Sequence, residues 1–136
     1  MKLPEIIDLP KIEDRRGNLT FVQNNDQIPF DIARVYWTYD VPGGVTRGSH
    51  AHIRNESLII AASGSFDVTL FDGVNEYKFS LNRSYKGLYV PCGYWRTLDN
   101  FSSCSVCMVL TSEPYSEDDY IRDFDEFMKL AASRPQ

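Results

Sequence analysis

Residues 46–56 read TRGSHAHIRNE and contain both histidines of this 136-residue chain. His50 and His52 are two residues apart, with Arg47 just ahead of them and Glu56 four residues beyond. Residues at positions i and i+2 of a β-strand project to the same face. If residues 47–53 are extended, the two imidazoles point the same way, either into the interior of a small barrel or towards solvent.

Most of the chain on either side consists of short segments rich in Val, Ile, Tyr, Phe and Trp, separated by Gly, Pro, Asn or Asp. Such spacing is typical of the strands of an antiparallel sandwich or barrel. Asp72-Gly73 is a strong signal for a hairpin between the fifth and sixth predicted strands. The predicted strands are residues 18–23, 32–39, 47–53, 57–63, 65–71, 75–81, 87–90, 94–99 and 104–111.

Only the C-terminal segment departs from this pattern. Ser116, followed three residues later by Asp119, resembles a capping box, and the acidic residues after Ser116 suit the positive end of a helix. A helix is therefore predicted from about 117 to 132, with an apolar stripe that packs against the sheet. The stripe comprises Tyr120, Phe124, Phe127 and Ala131.

Length and composition predict one globular domain over residues 1–136, with 43% hydrophobic and 24% charged residues. The net charge of -5 argues against nucleic acid or an anionic membrane surface as a partner. No apolar run approaches the roughly 20 residues of a membrane span, and no secretory signal is visible. Three cysteines, an odd number without a disulfide pattern, suit a reducing compartment, so a cytoplasmic location is expected.

The spacing of Gly44, His50, His52, Glu56 and Gly64 resembles the first motif of the cupin superfamily. In that motif the two histidines and the glutamate usually bind a divalent metal inside the barrel. A cupin-like fold is therefore expected, that is, an all-β antiparallel jelly roll with one short C-terminal helix.

The second cupin motif, P-x-G-x-x-H with an asparagine four residues later, corresponds to residues 91–96 followed by Asn100. Its histidine is replaced here by Arg96. A guanidinium stays protonated and only donates hydrogen bonds, so it cannot ligate a cation and repels one nearby. We therefore predict no metal and no cofactor, and a pocket suited to an anionic ligand.

Two readings of the histidine pair remain besides metal binding. A pair of neutral imidazoles can carry a proton between neighbouring atoms of one substrate. Alternatively, both rings are ordinary polar residues on a solvated sheet face. Four arginines in or beside predicted strands favour a positive pocket for phosphate or pyrophosphate, although any one of them could be a surface charge. These candidate substrate-binding residues are Arg16, Arg34, Arg47 and Arg96.

The sequence resembles the cupin-fold sugar nucleotide 3,4-ketoisomerases that act on dTDP-4-keto-6-deoxyglucose. The segments that carry the resemblance are DRRGNL (14–19), IPFDIARVYW (28–37), TRGSHAH (46–52), GLYVPCGYWR (87–96), DNFSS (99–103) and MVLTSEPYSEDDYIRDFDEF (108–127). The resemblance implies a homodimer and a metal-free reaction upstream of an aminotransferase in bacterial surface-glycan synthesis. It also implies that His50 abstracts the C-3 proton and that His52 moves a proton between the C-3 and C-4 oxygens.

The configuration at C-4 of the product is not predicted. In the family, an arginine-histidine combination at the positions of Arg16 and Arg96 resembles the galacto type, and a tyrosine-arginine combination the gluco type. This chain has arginine at both positions. Ser57 also stands where a glutamine or another larger polar group is expected. The alternatives to an isomerase are a metal-dependent cupin enzyme and a cupin that binds a nucleotide sugar without turning it over.

Overall fold

Antiparallel strands make up most of the regular structure in the computed structural model, which describes residues 1–135. Gln136, the last residue of the predicted domain, lies outside the described residues. The strands are β1 (Glu5–Asp8), β2 (Lys11–Ile12), β3 (Leu19–Thr20), β4 (Arg34–Tyr39), β5 (Arg47–His52), β6 (Ser57–Ser63), β7 (Phe66–Phe71), β8 (Glu76–Leu81), β9 (Lys86–Val90), β10 (Trp95–Asp99), β11 (Val106–Thr111) and β12 (Tyr120–Ile121). A helix, α1 (Phe124–Ala132), follows the last strand.

Within residues 1–135 the strands form two five-stranded sheets and one small hairpin. The first sheet has the order β1-β9-β6-β11-β4, the second has the order β12-β5-β10-β7-β8, and β2 pairs with β3. Side chains of both large sheets share one apolar core. This two-layer antiparallel arrangement with a short C-terminal helix confirms the predicted all-β, cupin-like jelly-roll class.

The sequence of strand β6, SLIIAAS, is mostly apolar and does not alternate with polar residues, because both faces of the strand are covered. Ile59 belongs to the core between the sheets, whereas Leu58 and Ile60 belong to a second cluster on the outer face of the first sheet. Neighbouring residues of a strand face opposite ways, so a strand covered on both faces needs apolar residues throughout. The outer cluster includes Ile28 and Phe30 from the long connection between β3 and β4.

The predicted hairpin at Asp72-Gly73 is confirmed. Strands β7 and β8 pair in register, and the Asp72 side chain accepts hydrogen bonds from the backbone N–H groups of Val74 and Asn75. Gly73 has φ +104°, a left-handed conformation that glycine adopts without strain.

The predicted helix from 117 to 132 is wrong over its first half. Residues Glu117–Asp119 form a single 3₁₀ turn, β12 follows, and α1 begins only at Phe124. Ser116 makes no side-chain capping bond. The cap of α1 is instead Asp123, whose side chain accepts a hydrogen bond from the backbone N–H of Glu126 at 3.2 Å. The chain stays extended over residues 120–121 because β12 pairs with β5.

Several strand boundaries also differ from prediction. Strand β3 covers only two residues of the predicted 18–23, and the predicted 104–111 begins at Val106, since Cys104 lies in a turn with φ +57°. Strands β1, β2 and β12 were not predicted. No helix found within residues 1–135 combines the length and the hydropathy that a membrane span requires.

Candidate active site

A cavity of about 570 Å³ opens between the two large sheets. This volume falls within the usual range for small-molecule sites, roughly 300–1,000 Å³. The polar and aromatic side chains that line the cavity include Arg34, Tyr36, Arg47, His50, Arg96 and Tyr120.

The two histidines lie together on the inner side of β5, as their spacing predicts. Their ring centroids are 5.0 Å apart, and the ring planes are nearly perpendicular at 85°. Ala51, between them, points to the opposite face and packs with Phe127 of α1. His50 lines the cavity, whereas His52 lies deeper and is only 3% exposed.

A distortion of β5 precedes the histidine pair. Gly48 and Ser49 both have positive φ, at +88° and +60°, and the pairing between β10 and β5 shifts register between Arg96 and Thr97. A Cβ atom at position 48 would lie 3.0 Å from the carbonyl oxygen of Arg96. A bulge of this kind re-aims the side chains that follow it. Here the residue paired with Arg96 across the strands is His50.

Burial sets the protonation of both rings. Burial, reinforced by the nearby Arg96 guanidinium, lowers the pKa of His50 to about 4 and that of His52 to about 2. A hydrogen bond with the backbone of Gly48 works in the opposite direction on the pKa of His50 but is the weaker effect. Both imidazoles are therefore neutral near pH 7, and each keeps one nitrogen lone pair.

Arg96 is a buried cation directed into this cavity. The residue is 2% exposed, and burial lowers its pKa from the ordinary arginine value. Its Nη1 donates to the Ser57 hydroxyl at 3.2 Å, while Nε and Nη2 have no hydrogen-bond partner among residues 1–135. Buried donors without partners are uncommon and call for an explanation. Two free guanidinium donors in a cavity are suited to an oxyanion.

Asp119 is a candidate site residue that the sequence does not predict, because its spacing from Ser116 indicates the partner residue of a capping box in the first turn of a helix. Its side chain is 3% exposed, and its Oδ2 lies 3.1 Å from Nδ1 of His52. The backbone N–H of Arg54 donates to Oδ1 at 2.7 Å, and that of Asn55 to Oδ2 at 3.2 Å. Because burial keeps His52 neutral, the contact is a hydrogen bond between a neutral ring and the carboxyl group.

The cavity does not fit the metal that the first cupin motif suggests. The carboxyl group of Glu56 does not join the histidines, because it accepts from the hydroxyl of Tyr89 and lies 3.8 Å from Nζ of Lys2. Arg96 places a positive charge where a further ligand is needed. Within residues 1–135, no cluster of three or more His, Cys, Asp or Glu side chains could hold a metal ion.

The four predicted arginines do not all meet at the cavity. Arg34, Arg47 and Arg96 line it, but Arg16 lies in the loop between β2 and β3. The side chain of Arg16 is 87% exposed and bonds to Asp14. A substrate-binding role for Arg16 therefore stays a prediction.

The predicted helical stripe also divides between two places. Phe127 packs beneath the second sheet as expected, but Tyr120 lines the cavity and contacts both imidazoles, with centroid distances of 5.0 Å to His50 and 4.4 Å to His52. The guanidinium of Arg122 lies 4.2 Å from the centroid of the Tyr120 ring. The sequence predicts Tyr120 in a helix, whereas it lies in strand β12, which pairs with β5 and so places its ring beside the histidines.

A two-layer jelly roll with two adjacent neutral imidazoles, one of them lining the cavity beside a buried guanidinium, defines a cupin-type protein that lacks the usual metal ligand set. The family model "FdtA: WxcM-like, C-terminal" matches residues 2–132. The TDP-4-oxo-6-deoxy-alpha-D-glucose-3,4-oxoisomerase of Aneurinibacillus thermoaerophilus is 41% identical over 128 residues, which are 94% of this chain and 92% of that protein. The chain therefore belongs to the FdtA family.

Two solved structures are similar over nearly their whole length. A 3,4-ketoisomerase from Helicobacter canadensis is 38% identical, with a TM-score of 0.93 and coverage of 96% of this chain and 98% of that one. A histidine-to-asparagine mutant of the 3,4-ketoisomerase QdtA from Thermoanaerobacterium thermosaccharolyticum, in complex with TDP-4-keto-6-deoxyglucose, is 35% identical. Its TM-score is 0.94, with coverage of 96% and 95%.

Proposed function

We propose that this protein is a sugar nucleotide 3,4-ketoisomerase that converts dTDP-4-keto-6-deoxyglucose into its 3-keto isomer. The observation that carries the proposal is the pair of neutral imidazoles, 5.0 Å apart, of which His50 lines the cavity beside the buried guanidinium of Arg96. The activities named for the family relatives support the same substrate and reaction.

His50 is the base that removes the C-3 hydrogen in this proposal. Its Nε2 is buried and has no hydrogen-bond partner within residues 1–135. A lone pair at Nε2 can therefore take a proton from the carbon next to the C-4 ketone. The electron pair of the broken C–H bond then forms an enediolate whose negative charge lies on the C-4 oxygen.

Arg96 and His52 handle the oxygens in this reaction. The free guanidinium donors of Arg96 stabilise the enediolate oxygen, the role that preorganised donors play in an oxyanion hole. His52 takes the proton of the C-3 hydroxyl and delivers it to the C-4 oxygen. Protonation of C-4 completes the isomerisation with no net gain or loss of protons or electrons: the proton comes either from the His50 imidazolium, on the face that the C-3 hydrogen left, or from water on the opposite face, in which case His50 returns its proton to water.

The remaining arginines of the cavity are assigned to the diphosphate. Arg34 and Arg47 lie on β4 and β5, and both guanidinium groups can bind phosphate oxygens in the bidentate manner typical of arginine. The same charges draw an anionic substrate towards an otherwise acidic protein, whose net charge is -5.

A homodimer is part of the proposal. Alternate residues of the edge strand β4 expose an apolar stripe of Val35, Trp37 and Tyr39, and Trp37 is 58% exposed. An exposed apolar edge strand is a liability unless a partner covers it. A second copy would also give the exposed Arg16 the opportunity to reach a cavity. Light scattering should give twice the chain mass, and Trp37→Glu should shift it towards the monomer.

The biological setting follows from the same chemistry. A 3-keto sugar nucleotide is a substrate for an aminotransferase, so we place the protein upstream of one, in the synthesis of 3-amino-3,6-dideoxy sugars for bacterial surface glycans. A cytoplasmic location belongs to this proposal and agrees with three free cysteines, Cys92, Cys104 and Cys107.

A proton NMR time course with dTDP-4-keto-6-deoxyglucose in deuterated water tests the activity. Loss of the C-3 proton signal and appearance of a 3-keto product are expected, and the couplings at C-4 give the product's configuration. His50→Asn and His52→Asn should each lower the rate by about a hundredfold to ten-thousandfold. Exchange at C-3 at the normal rate in His50→Asn contradicts the role of His50, and formation of the 3-keto product at the normal rate in His52→Asn contradicts the role of His52.

The two other candidate functions give different results in the same experiments. A cupin that only binds nucleotide sugars would bind dTDP without any exchange at C-3. A metal-dependent cupin would contain stoichiometric iron, zinc or manganese when purified without chelator, and a chelator would abolish its turnover. The position of Glu56 and the buried charge of Arg96 weigh against the metal-dependent candidate.

A further inference from the structure

The His52–Asp119 contact joins two buried side chains that are 67 residues apart in sequence. Their side chains are 4% and 3% exposed. The mechanism above uses His52 but gives Asp119 no role. Burying a carboxyl group is costly unless its oxygens have hydrogen-bond partners.

Asp119 is held rigidly from two directions. Its carboxyl oxygens accept hydrogen bonds from the backbone N–H groups of Arg54 and Asn55, which lie two and three residues after the end of β5. Its own backbone carbonyl accepts from the N–H of Ile53 at 3.0 Å, and the next residue pairs with His52 in the β12–β5 ladder. The carboxyl group therefore has a fixed position relative to the imidazole.

The direction of the hydrogen bond with His52 follows from this engagement. Two backbone donors already point at the carboxyl oxygens, so the group acts as an acceptor towards its third neighbour. A neutral imidazole has one N–H and one lone pair. Nδ1 must therefore carry the hydrogen, which leaves the lone pair on Nε2.

We propose that Asp119 is a positioning residue that fixes His52 as the Nδ1–H tautomer, so that Nε2 is free to accept a proton from the sugar. The inference rests on the proposed function, because it concerns the step assigned to His52. When Nε2 takes the hydroxyl proton, the ring becomes an imidazolium next to Asp119, which stabilises that transient charge. The proton then leaves from Nε2 to the neighbouring oxygen, and the pair returns to its starting state.

The tautomer can be read directly, because the chain contains only two histidines. In protein labelled with ¹⁵N-histidine, long-range ¹H–¹⁵N correlations distinguish an Nδ1–H ring from an Nε2–H ring, with His50 as the internal reference. Wild type should show His52 as the Nδ1–H tautomer. An Nε2–H pattern for wild-type His52 overturns the proposal without any variant, even if every variant fails to fold.

Asp119→Asn is the informative substitution. With its amide oxygen in the Oδ1 position it still accepts from the backbone N–H of Arg54, while its NH₂ group in the Oδ2 position donates to Nδ1 of His52 and moves the ring proton to Nε2; only the Asn55 N–H loses its acceptor. The kcat should fall by about a hundredfold to ten-thousandfold. The KM should change little, because Asp119 does not line the cavity.

Asp118→Asn is the matched control, since Asp118 lies in the same turn and is exposed. It should keep the wild-type tautomer and wild-type kcat. If Asp119→Asn loses activity with the His52 tautomer unchanged, its role is merely structural and the proposal fails. The proposal also fails if the tautomer changes and kcat does not. If wild type shows no exchange at C-3 while His52 is the Nδ1–H tautomer, the proposed function fails and the structural pairing stands.

Discussion

Replacing Arg96 by methionine should make the folded protein more stable while removing most of its turnover. The guanidinium is 2% exposed, and two of its three nitrogens have no partner within residues 1–135. Burial lowers its pKa, which means that the charged guanidinium is less stable in the folded protein than in water. Methionine has a similar length, is apolar, and needs no partner.

The magnitude follows from two opposing contributions. Removing a buried, incompletely satisfied charge recovers a desolvation penalty of several kcal/mol. Losing the bond to Ser57 costs about 1.5–3 kcal/mol, because the donor is charged. We expect a net stabilisation of about 1–3 kcal/mol. With an unfolding entropy near 2.1 cal/mol/K per residue, a chain of this size gains roughly 3.5 °C in Tm for each kcal/mol.

Activity should move the opposite way. Each oxyanion donor that is lost typically lowers kcat by about a hundredfold to a thousandfold. The pKa of His50 should also rise from about 4 towards the value of an unperturbed histidine, because the nearby guanidinium is one of the causes of its lowering. Burial, the larger cause, remains, so the rise is partial.

Urea unfolding, an NMR titration of the two histidines and the NMR turnover assay measure these three effects on the same samples. Arg47→Met is the control, because Arg47 also lines the cavity but is exposed. Its stability should stay within about 0.5 kcal/mol of wild type. If Arg96→Met is the less stable of the two variants, or if it turns over at the wild-type rate, the buried cation does not have the role argued above.

Three further predictions test the fold and its pH dependence. Both histidines have lowered pKa values in the folded protein, so the unfolded chain binds more protons below about pH 6.5. As the pH falls from about 6.5 to 4, the free energy of unfolding should therefore fall by up to about 1.4 kcal/mol per pH unit per histidine. Urea titrations of a variant with glutamine at both positions should show a shallower loss. Gly64→Ala should lower the free energy of unfolding by about 1–3 kcal/mol or more, because φ is +68° and the new Cβ would lie 2.5 Å from Oγ of Ser102. Gly43→Ala is the control and should barely change this free energy, because nothing lies within 4 Å of its new Cβ. Asp123→Ala should lower the free energy of unfolding by about 1 kcal/mol because it removes the cap of α1, whereas Ser116→Ala should change thermal stability little. The reverse result would support a helix that begins at residue 117.

The features that the sequence predicted correctly depend on local periodicity. A period of two places His50 and His52 on one face whatever the rest of the chain does, and Asp72-Gly73 forms a hairpin through hydrogen bonds within four residues. Strand β6 was also found, because its apolar run is short and bounded by polar residues. None of these features requires knowledge of a distant partner.

The missed features depend on contacts between distant residues. The spacing from Ser116 indicates Asp119 as a capping-box residue, but its carboxyl group accepts hydrogen bonds from backbone donors 64 and 65 residues away. Glu56 followed the metal-binding spacing, yet its carboxyl group bonds to Tyr89, 33 residues away. Residue type and spacing cannot show which of several possible partners a carboxyl group selects.

Arg96 contributes both to the neutrality of the histidines, which burial chiefly determines, and to their proposed use as bases. Arg96 helps to keep the two imidazoles unprotonated in the free protein, so their lone pairs are available near pH 7. A base with a low pKa is a weak one and needs an unusually acidic C–H bond. A guanidinium beside the C-4 oxygen supplies that acidity, because it stabilises the enediolate more than the ketone. Once negative charge develops on the substrate, it offsets the repulsion between Arg96 and a protonated His50. The basicity that the ring lacks in the free protein therefore becomes available as the proton is transferred.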